Sequence, residues 1–290
     1  MITFPAVYEA ASEASDRAQK RYLNLLRLEY GALLVASILS MNFSTESGYS
    51  VAYAATFITA LFVLLYRSTT KPEQAWYKSR ALAESIKTSS WRFAMKAEPY
   101  GTGDSEPETR KEFLQTLAKI LQINSFLGDE MDGRSAADIH ITLSMESLRI
   151  VPWEDRKLFY LVHRIRDQRE WYRRKSIAFR SAARVWTAIG ITVYFLGFVT
   201  CLLKISYPDF KYWPQEPLIL IASAIVGWVQ IKKFRELASS YSLTALEIGL
   251  IEDGLANVES EEEFVEFVND AEQGFSREHI QWVARQRHAA

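Results

Sequence analysis

An uncharged stretch in the second half of the chain, residues 185–203, decides the fold with the sequence VWTAIGITVYFLGFVTCLL. As a helix with a rise of about 1.5 Å per residue, it extends for roughly 28 Å, which is close to the thickness of a bilayer's hydrocarbon core. Three further stretches lack formal charge, at residues 30–45, 47–66 and 217–231. The two shorter stretches are ambiguous singly, but each is joined to a longer one by a turn-like link. The pattern predicts two transmembrane helical hairpins.

Basic residues surround the open ends of both hairpins and are scarce at their tips. The first link has no Lys or Arg, and the second has only Lys204 and Lys211. Because Lys and Arg concentrate in cytoplasmic loops, the N- and C-termini are predicted to be cytoplasmic. The alternative, a soluble bundle with two very apolar hairpins, is disfavoured by this asymmetry. The basic flanks comprise Arg17, Lys20, Arg21, Arg27, Arg67, Lys71, Lys78, Arg80 and Lys87 around the first hairpin, and Arg166, Arg169, Arg173, Arg174, Lys175, Arg180, Arg184, Lys232, Lys233 and Arg235 around the second.

Helical periodicity outside the membrane stretches predicts long polar helices that continue out of the hairpins. We expect one helix over about 6–30, one over about 70–97, and one from a capping box at Ser105 and Glu108 to about residue 127. Apolar residues at helical spacing predict the buried stripes of the first two helices, Val7, Ala11, Ala14, Ala18 and Leu25 in the first and Leu82, Ile86 and Phe93 in the second. The fourth uncharged stretch is expected to continue as a helix through Leu237, Tyr241, Ile248, Ile251 and Leu255. A helix feeding the third stretch carries an apolar face at Leu158, Val162, Ile165, Tyr172 and Phe179. Ser260 with Glu263 predicts another helix start, and Ser276 the start of a last helix. No stretch predicts a strand, so the expected fold class is an all-α membrane protein.

Composition excludes several classes of function. The formal net charge is −1, which does not suit a nucleic-acid-binding protein. The single cysteine, Cys201, excludes a disulfide framework, and the four histidines lack metal-ligand spacing. Nucleotide-binding and hydrolase motifs are missing from the sequence. The N-terminal residues 1–21 lack the apolar segment of a signal peptide. We therefore expect no enzymatic activity, catalytic residue, metal or cofactor, and no direct contact with nucleic acid.

Small residues recur at helical spacing within the membrane stretches and are the candidates for close helix packing. They serve either packing within one hairpin or packing between protomers around a pore, and the sequence leaves both open. Hydroxyl groups in the same stretches suit a wet pore or a bond back to their own helix. No charge lies at the centre of a stretch, which disfavours a transporter or ion pump; Arg27 and Glu29 are expected to stay in water at the membrane edge. The packing or pore candidates are Ala32, Ala36, Ser40, Ala52, Thr56, Ala60, Gly190, Gly197, Ser223 and Gly227.

Three polar segments have a recognisable combined pattern: KPEQAWYKSRALAESIKTSSWR at 71–92, RIRDQREWY at 164–172 and FSREHIQW at 275–282. Together they resemble the SLATT family, two-transmembrane effector domains of bacterial conflict systems. The resemblance covers nearly the whole chain as a tandem. Its first unit is 1–150, with membrane helices at about 30–45 and 48–66, and its second is 151–290, with membrane helices at about 185–203 and 217–231.

The resemblance implies an effector that oligomerises in the bacterial inner membrane and permeabilises it when a defence partner is activated, which arrests growth in an abortive infection. The trigger is then a separate sensor or defence protein or a nucleotide signal. A non-conducting membrane scaffold that recruits a cytoplasmic defence complex is the alternative. The four tryptophans of the motifs are expected to act as packing anchors or as ligand contacts. The cytoplasmic motif residues are Trp76, Arg80, Glu84, Trp91, Asp167, Gln168, Trp171, Tyr172, Ser276, Arg277, Glu278, His279 and Trp282.

Overall fold

The computed structural model describes the backbone of residues 2–101, 105–124 and 139–287, and side chains in these ranges as far as residue 275. Within these ranges every regular element is helical, which confirms the predicted all-α class. A short π-helical segment, Leu161–Arg166, separates α6 from α7. The helices in chain order are α1 (Ala6–Leu39), α2 (Ser47–Thr70), α3 (Pro72–Met95), α4 (Glu106–Ile123), α5 (Leu143–Ile150), α6 (Trp153–Tyr160), α7 (Asp167–Ser206), α8 (Gln215–Lys232), α9 (Phe234–Ala256) and α10 (Glu261–Arg287).

The chain forms two compact units, and each takes segments from both halves of the sequence. The first, here called the polar unit, comprises Met1–Lys20, Pro72–Tyr172 and Leu243–Ala290. The second, here called the membrane unit, comprises Arg21–Lys71 and Arg173–Ser242 and contains both hairpins. The predicted division at residues 150 and 151 concerns sequence repeats rather than these compact units, and it stays a prediction.

Helix ends in the membrane unit differ from the expected ends of the uncharged stretches. Helix α1 stops at Leu39, six residues before the first stretch ends, and the Tyr49 hydroxyl donates to the Leu39 carbonyl oxygen at 2.5 Å. The fourth stretch does not continue as one helix into α9, because Lys233 adopts a left-handed conformation with φ 45°. Its backbone N–H donates to the Val229 oxygen at 2.9 Å, as the N–H of left-handed Lys71 does to Arg67 at 3.0 Å.

The polar unit is built around a core in which α3 packs against α10. The predicted stripe on α3 is confirmed, because Leu82, Ile86 and Phe93 are buried. The N-terminal part of α1 contributes a second apolar stripe that includes Val7 and Ala11, as its periodicity predicted. Burial of these faces against one another supplies the main driving force for folding of the unit.

Helix starts at the serine-based caps were predicted with mixed success. Helix α4 begins after Ser105, whose hydroxyl bonds the Glu108 carboxylate at 2.9 Å rather than a backbone amide, and it ends at Ile123. At Ser260 the cap is confirmed, because the Glu263 N–H donates to the Ser260 hydroxyl at 3.2 Å. The predicted helix start at Ser276 is wrong: α10 passes through that residue without interruption.

The apolar face predicted before the third stretch is wrong in its first turns. Leu158 and Val162 are exposed, whereas Tyr160 and Arg164 are buried. The physical reason is the π-helical segment Leu161–Arg166, since its wider turn changes the angular position of the residues on either side. Of the remaining expected residues, Ile165 is buried and Tyr172 and Phe179 are half-buried.

Candidate functional site

The membrane unit exposes large apolar side chains along its helices. Phe62, Phe195 and Ile219 are each at least 63% exposed. Each of the helical stretches Ala6–Leu39, Ser47–Met95, Trp153–Ser206 and Gln215–Ala256 contains a segment long and apolar enough to cross a membrane, and the last three stretches each run through more than one of the helices named above. Contiguous apolar surface of this extent is unfavourable in water and suits contact with lipid. The protein is therefore a membrane protein.

Glycines of the membrane stretches divide into enclosed and open positions. A Cβ on Gly227 would come within 2.6 Å of the Tyr30 hydroxyl oxygen, so this glycine permits the two hairpins to pack together. A Cβ on Gly190 would lie 3.7 Å from Ile225, within the second hairpin. By contrast, no described atom lies within 4 Å of a Cβ built on Gly197. Gly197 is thus the glycine of the three that leaves room for a further helix or lipid.

The other packing candidates are distributed over differing environments. Ala36 and Ala60 are buried, Ala32, Ser40 and Thr56 are half-buried, and Ala52 and Ser223 are exposed. The hydroxyls donate to carbonyl oxygens of their own helix, from Ser40 to Ser37, from Thr56 to Tyr53 and from Ser223 to Ile219, at 2.6–3.0 Å. Such bonds satisfy the hydroxyls within the helix.

A cavity of about 440 Å³ lies where the two hairpins meet inside the membrane unit. Its walls are apolar and include Trp186 and Trp228, whose rings are 6.2 Å apart. The Arg27 guanidinium lies 5.8 Å from the centroid of the Trp228 ring. This cation–π contact holds the arginine side chain along the apolar surface while its charge faces outward.

Glu29, at the edge of the first hairpin, was expected to be solvated, but it forms an ion pair instead. Its carboxylate pairs with the Arg67 guanidinium at 3.0 Å, and the two side chains are only 17% and 27% exposed. An ion pair of this kind removes much of the cost of placing either charge near the hydrocarbon. Arg27, in contrast, remains exposed as expected.

The first and second motifs meet in the polar unit. The Arg80 guanidinium lies 6.0 Å from the Trp171 ring centroid, which joins α3 to α7. Trp91 is 1% exposed and packs edge to face on Tyr160 at 5.6 Å, so it is a packing anchor. Trp76 is half-buried and stacks on Tyr77 at 4.7 Å.

The remaining motif residues lie nearer the surface or beyond the described side chains. Glu84, Gln168, Trp171 and Tyr172 are half-buried, and Asp167 is exposed. Burial, followed by the Glu84 charge, raises the pKa of the neighbouring Tyr8 phenol to about 12. The third motif lies on α10, and its side chains, those of Ser276, Arg277, Glu278, His279 and Trp282, are outside the described residues.

A buried ionic cluster in the polar unit was not predicted from the sequence. Arg164 donates two hydrogen bonds to the Glu272 carboxylate, at 2.7 and 2.6 Å, and Tyr160 donates a third at 2.9 Å. Both charged side chains are almost fully buried, at 2% and 0% exposure. The aromatic ring of Phe275 covers the guanidinium, with its centroid 4.7 Å away. The π-helical segment turns Arg164 inward to reach this position.

The electrostatics of this cluster favour a permanently charged pair. Burial alone would lower the pKa of Arg164, but the Glu272 carboxylate outweighs it and the net shift is upward. Burial, and then the Glu272 charge, raise the pKa of Tyr160 well above its ordinary value, so its phenol keeps the proton that it donates. Lys87 lies in the same electrostatic environment, and burial lowers its pKa. This geometry suits structural fixation, because Arg164 and Tyr160 are both hydrogen-bonded to the Glu272 carboxylate.

Comparison with known families gives two matches along the chain. The model of SMODS and SLOG-associating 2TM effector domain 3, SLATT_3, matches residues 5–157. The model of SMODS and SLOG-associating 2TM effector domain 1, SLATT_1, matches residues 160–282. The chain belongs to the SLATT family. The predicted tandem of two SLATT domains is confirmed. Neither a curated protein nor a solved structure matches it.

The two SLATT matches each supply one membrane hairpin, and together they build the polar unit. Helices α1 and α2 lie in the first match, and α7 and α8 lie in the second. Within the polar unit, α3 of the first match contacts α10 of the second, and the Arg92 guanidinium donates to the Asn269 carbonyl oxygen at 3.2 Å. The SLATT tandem is therefore intertwined rather than a string of two separate folds.

Proposed function

We propose that this SLATT protein is a non-enzymatic effector of the bacterial inner membrane that oligomerises and permeabilises the membrane when a defence partner is activated. Growth arrest or abortive infection is the outcome for the cell. The observation that carries the proposal is the open position at Gly197, at the middle of an exposed apolar membrane helix. A missing side chain there permits the close approach of a helix from another protomer.

The trigger is proposed to come from outside the chain. The matched models describe effector domains that associate with SMODS and SLOG proteins. A separate sensor or defence protein, or a nucleotide signal, would then bias the packing of the membrane helices. Direct binding of nucleic acid is not part of the proposal, because the net charge of −1 offers no general attraction for a polyanion.

The proposed orientation has the N- and C-termini in the cytoplasm, and the basic flanks of both hairpins support it. Cysteine labelling of intact cells tests this orientation after Cys201→Ser. Single cysteines at Ser47 and Asp209, both exposed at hairpin tips, should react with an impermeant reagent. A cysteine at Ser105, exposed in the polar unit, should react only after lysis. The reverse pattern would contradict the orientation.

Release of dye from liposomes by purified protein and its activator tests the permeabilising activity. Gly197→Leu should abolish release without preventing insertion, because it fills open space and adds apolar surface. Gly48→Leu is the matched control, since Gly48 is equally open but lies at a hairpin tip. Ala36→Leu and Gly227→Leu should weaken the fold of the unit itself, because Ala36 is buried and Gly227 lies against Tyr30.

The same liposome preparation distinguishes the scaffold function from the permeabilising function. If wild-type protein captures its partner at the membrane and yet releases no dye or ions, permeabilisation is excluded and the protein acts as a scaffold. The hydroxyls that bond within their own helices favour this second function, because they leave fewer groups to hydrate a pore.

A further inference from the structure

A groove of about 420 Å³ opens between α7 and α9 of the membrane unit, at the point where the third uncharged stretch begins. It is lined by Arg180, Arg184 and Arg235 and by apolar residues that include Ala188 and Ile191; the end at the arginines is here called its mouth, and the surface at Ala188 and Ile191 its floor. Arg180 and Arg184 are four residues apart and therefore lie on one face of α7.

The three arginines are distinctive because they have no carboxylate partner among the described residues. The Arg235 guanidinium donates a hydrogen bond to the Thr187 hydroxyl at 3.4 Å. All three side chains are exposed. Three unpaired cations on one groove attract an anion, and the planar guanidinium is suited to two-point bonding with phosphate oxygens.

The walls of the groove are fixed by contacts within the membrane unit. The buried Ser176 hydroxyl donates to the Ala238 carbonyl oxygen at 2.8 Å and joins α7 to α9. Phe179 packs against Phe234 and Tyr241, with ring centroids 5.9 and 5.6 Å apart. The left-handed conformation of Lys233 redirects the chain between α8 and α9 just before Arg235. The groove is thus present before any ligand arrives.

The position of the floor distinguishes a lipid from a soluble anion. Arg184 is the last charged residue before the uncharged stretch, and Ile191 lies seven residues further, about 10 Å deeper along the helix. Ile191 is 64% exposed. A free phosphate or nucleotide would contact the arginines, but it has no acyl chain to cover the apolar surface at Ala188 and Ile191. A phospholipid places its phosphate at the mouth and an acyl chain along the floor.

We propose that this groove binds an anionic phospholipid, with the phosphate held by Arg180, Arg184 and Arg235 and one acyl chain lying over Ala188 and Ile191. Zwitterionic lipid is the poorer ligand, because its ammonium group adds a fourth cation to the mouth. Lipid binding here is independent of permeabilisation, since it needs neither an activator nor an open pore.

Native mass spectrometry of the delipidated full chain, titrated with phosphatidylglycerol or phosphatidylcholine, tests the proposal. Wild type should prefer phosphatidylglycerol, and the triple variant Arg180→Gln, Arg184→Gln, Arg235→Gln should bind it ~100-fold more weakly, about fivefold per arginine. Lys211→Gln, at an exposed tip, is the control for a change in net charge and should bind as wild type does. Equal affinity of the triple variant and wild type would overturn the site.

A second pair of variants tests the apolar floor without altering charge. Ala188→Phe fills the floor and should weaken phosphatidylglycerol binding about tenfold, which corresponds to roughly two methylene groups of lost contact. Ile189→Phe changes the adjacent residue, which does not line the groove, and should have no effect. If inorganic phosphate displaces the lipid at equal concentration, or if Ala188→Phe binds like wild type, the occupant is a soluble anion and the lipid assignment fails.

Discussion

In the polar unit Arg164 is fully enclosed and bonded to Glu272. In the membrane unit Arg180, Arg184 and Arg235 line a groove, and no carboxylate of the described part of the chain pairs with them. Arg67, at the edge of the first hairpin, is intermediate, because it is partly buried and is paired with half-buried Glu29. Burial explains the order. A guanidinium removed from both water and lipid headgroups needs a counter-charge from the protein, and one at a membrane surface does not.

The contrast teaches which arginines hold the fold and which remain available for ligands. Paired arginines in the polar unit join distant segments, since Arg164 and Glu272 are 108 residues apart in sequence. The unpaired arginines contact their own neighbourhood and add little to the fold. Substitution of the paired arginines should therefore reduce mainly stability, and substitution of the groove arginines should reduce mainly lipid binding.

The largest expected effect is that of Glu272→Gln. The substitution keeps the size of the side chain but leaves the Arg164 charge buried without its counter-charge, which should cost about 3–5 kcal/mol of polar-unit stability. Thermal unfolding of the purified protein in detergent, followed by helical circular dichroism and limited proteolysis, measures the loss. The paired replacement Arg164→Met with Glu272→Leu should recover much of it. A loss from Glu272→Gln no greater than that from a surface substitution would contradict the comparison.

A smaller loss of stability is expected from Glu29→Gln, which removes the carboxylate that pairs with Arg67 at the edge of the first hairpin. The loss should be about 1–2 kcal/mol, between the values for exposed and for buried pairs, because both side chains are partly accessible. Unfolding measured in neutral micelles and in micelles containing phosphatidylglycerol sharpens the test. Anionic lipid should offset the loss in the variant more than it changes wild type. No lipid dependence would mean that Arg67 cannot reach the headgroup region.

The left-handed lysines provide a third comparison between the hairpins. Lys71 and Lys233 have φ values of 44° and 45°, a region in which glycine is less strained than other residues. Lys233→Gly should stabilise the membrane unit by up to ~1 kcal/mol, and Lys71→Gly should do the same. Denaturation in mixed micelles measures both. A clear loss of stability in either variant would show that the lysine side chain contributes more than its backbone strain removes.

The smallest effect concerns Glu252, which accepts hydrogen bonds from Arg166 at 2.7 Å and Arg169 at 2.9 Å. The hydrogen bond from Arg166, ahead of the opposing effect of burial, lowers the pKa of Glu252. A carboxyl group with a lowered folded-state pKa stabilises the fold above its ordinary pKa, near 4.5, and loses that contribution as the pH falls through the folded value.

The contribution should be below ~1 kcal/mol, because both arginines are about half exposed, and it should decrease further at high salt. Unfolding curves of wild type and Glu252→Gln across the acidic range should converge at the lowest pH and differ most above the ordinary pKa. A difference that is constant with pH would show that the variant acts through packing instead.

Features with a local signal were predictable from the sequence. Hydropathy located all four membrane helices, since lipid demands long uncharged stretches whatever their neighbours are. Spacing located the buried stripe of α3 and the cap at Ser260. The family motifs located Trp91, and the structure adds that its role is packing.

Features that depend on partners far along the chain were not predictable. Nothing near Arg164 in the sequence indicates Glu272, and the π-helical turn that directs the arginine inward has no periodic signature. The same holds for the groove: Arg180, Arg184 and Arg235 were visible as basic flanks, but only the packing of α7 on α9 brings them to one opening. The helix start predicted at Ser276 was wrong although its signal was local. A residue type that often caps a helix can also occur inside one, as it does in α10.

The place of α10 in the polar unit has a consequence for biosynthesis. On the ribosome, Glu272 is made after all four membrane helices, so both hairpins can enter the translocon before Arg164 receives its carboxylate. Until then the nascent polar unit lacks the helix that packs on α3 and holds an uncompensated charge at its centre. A truncated product would therefore insert but not mature. Under the proposed function, this order of synthesis makes membrane activity depend on the synthesis of α10.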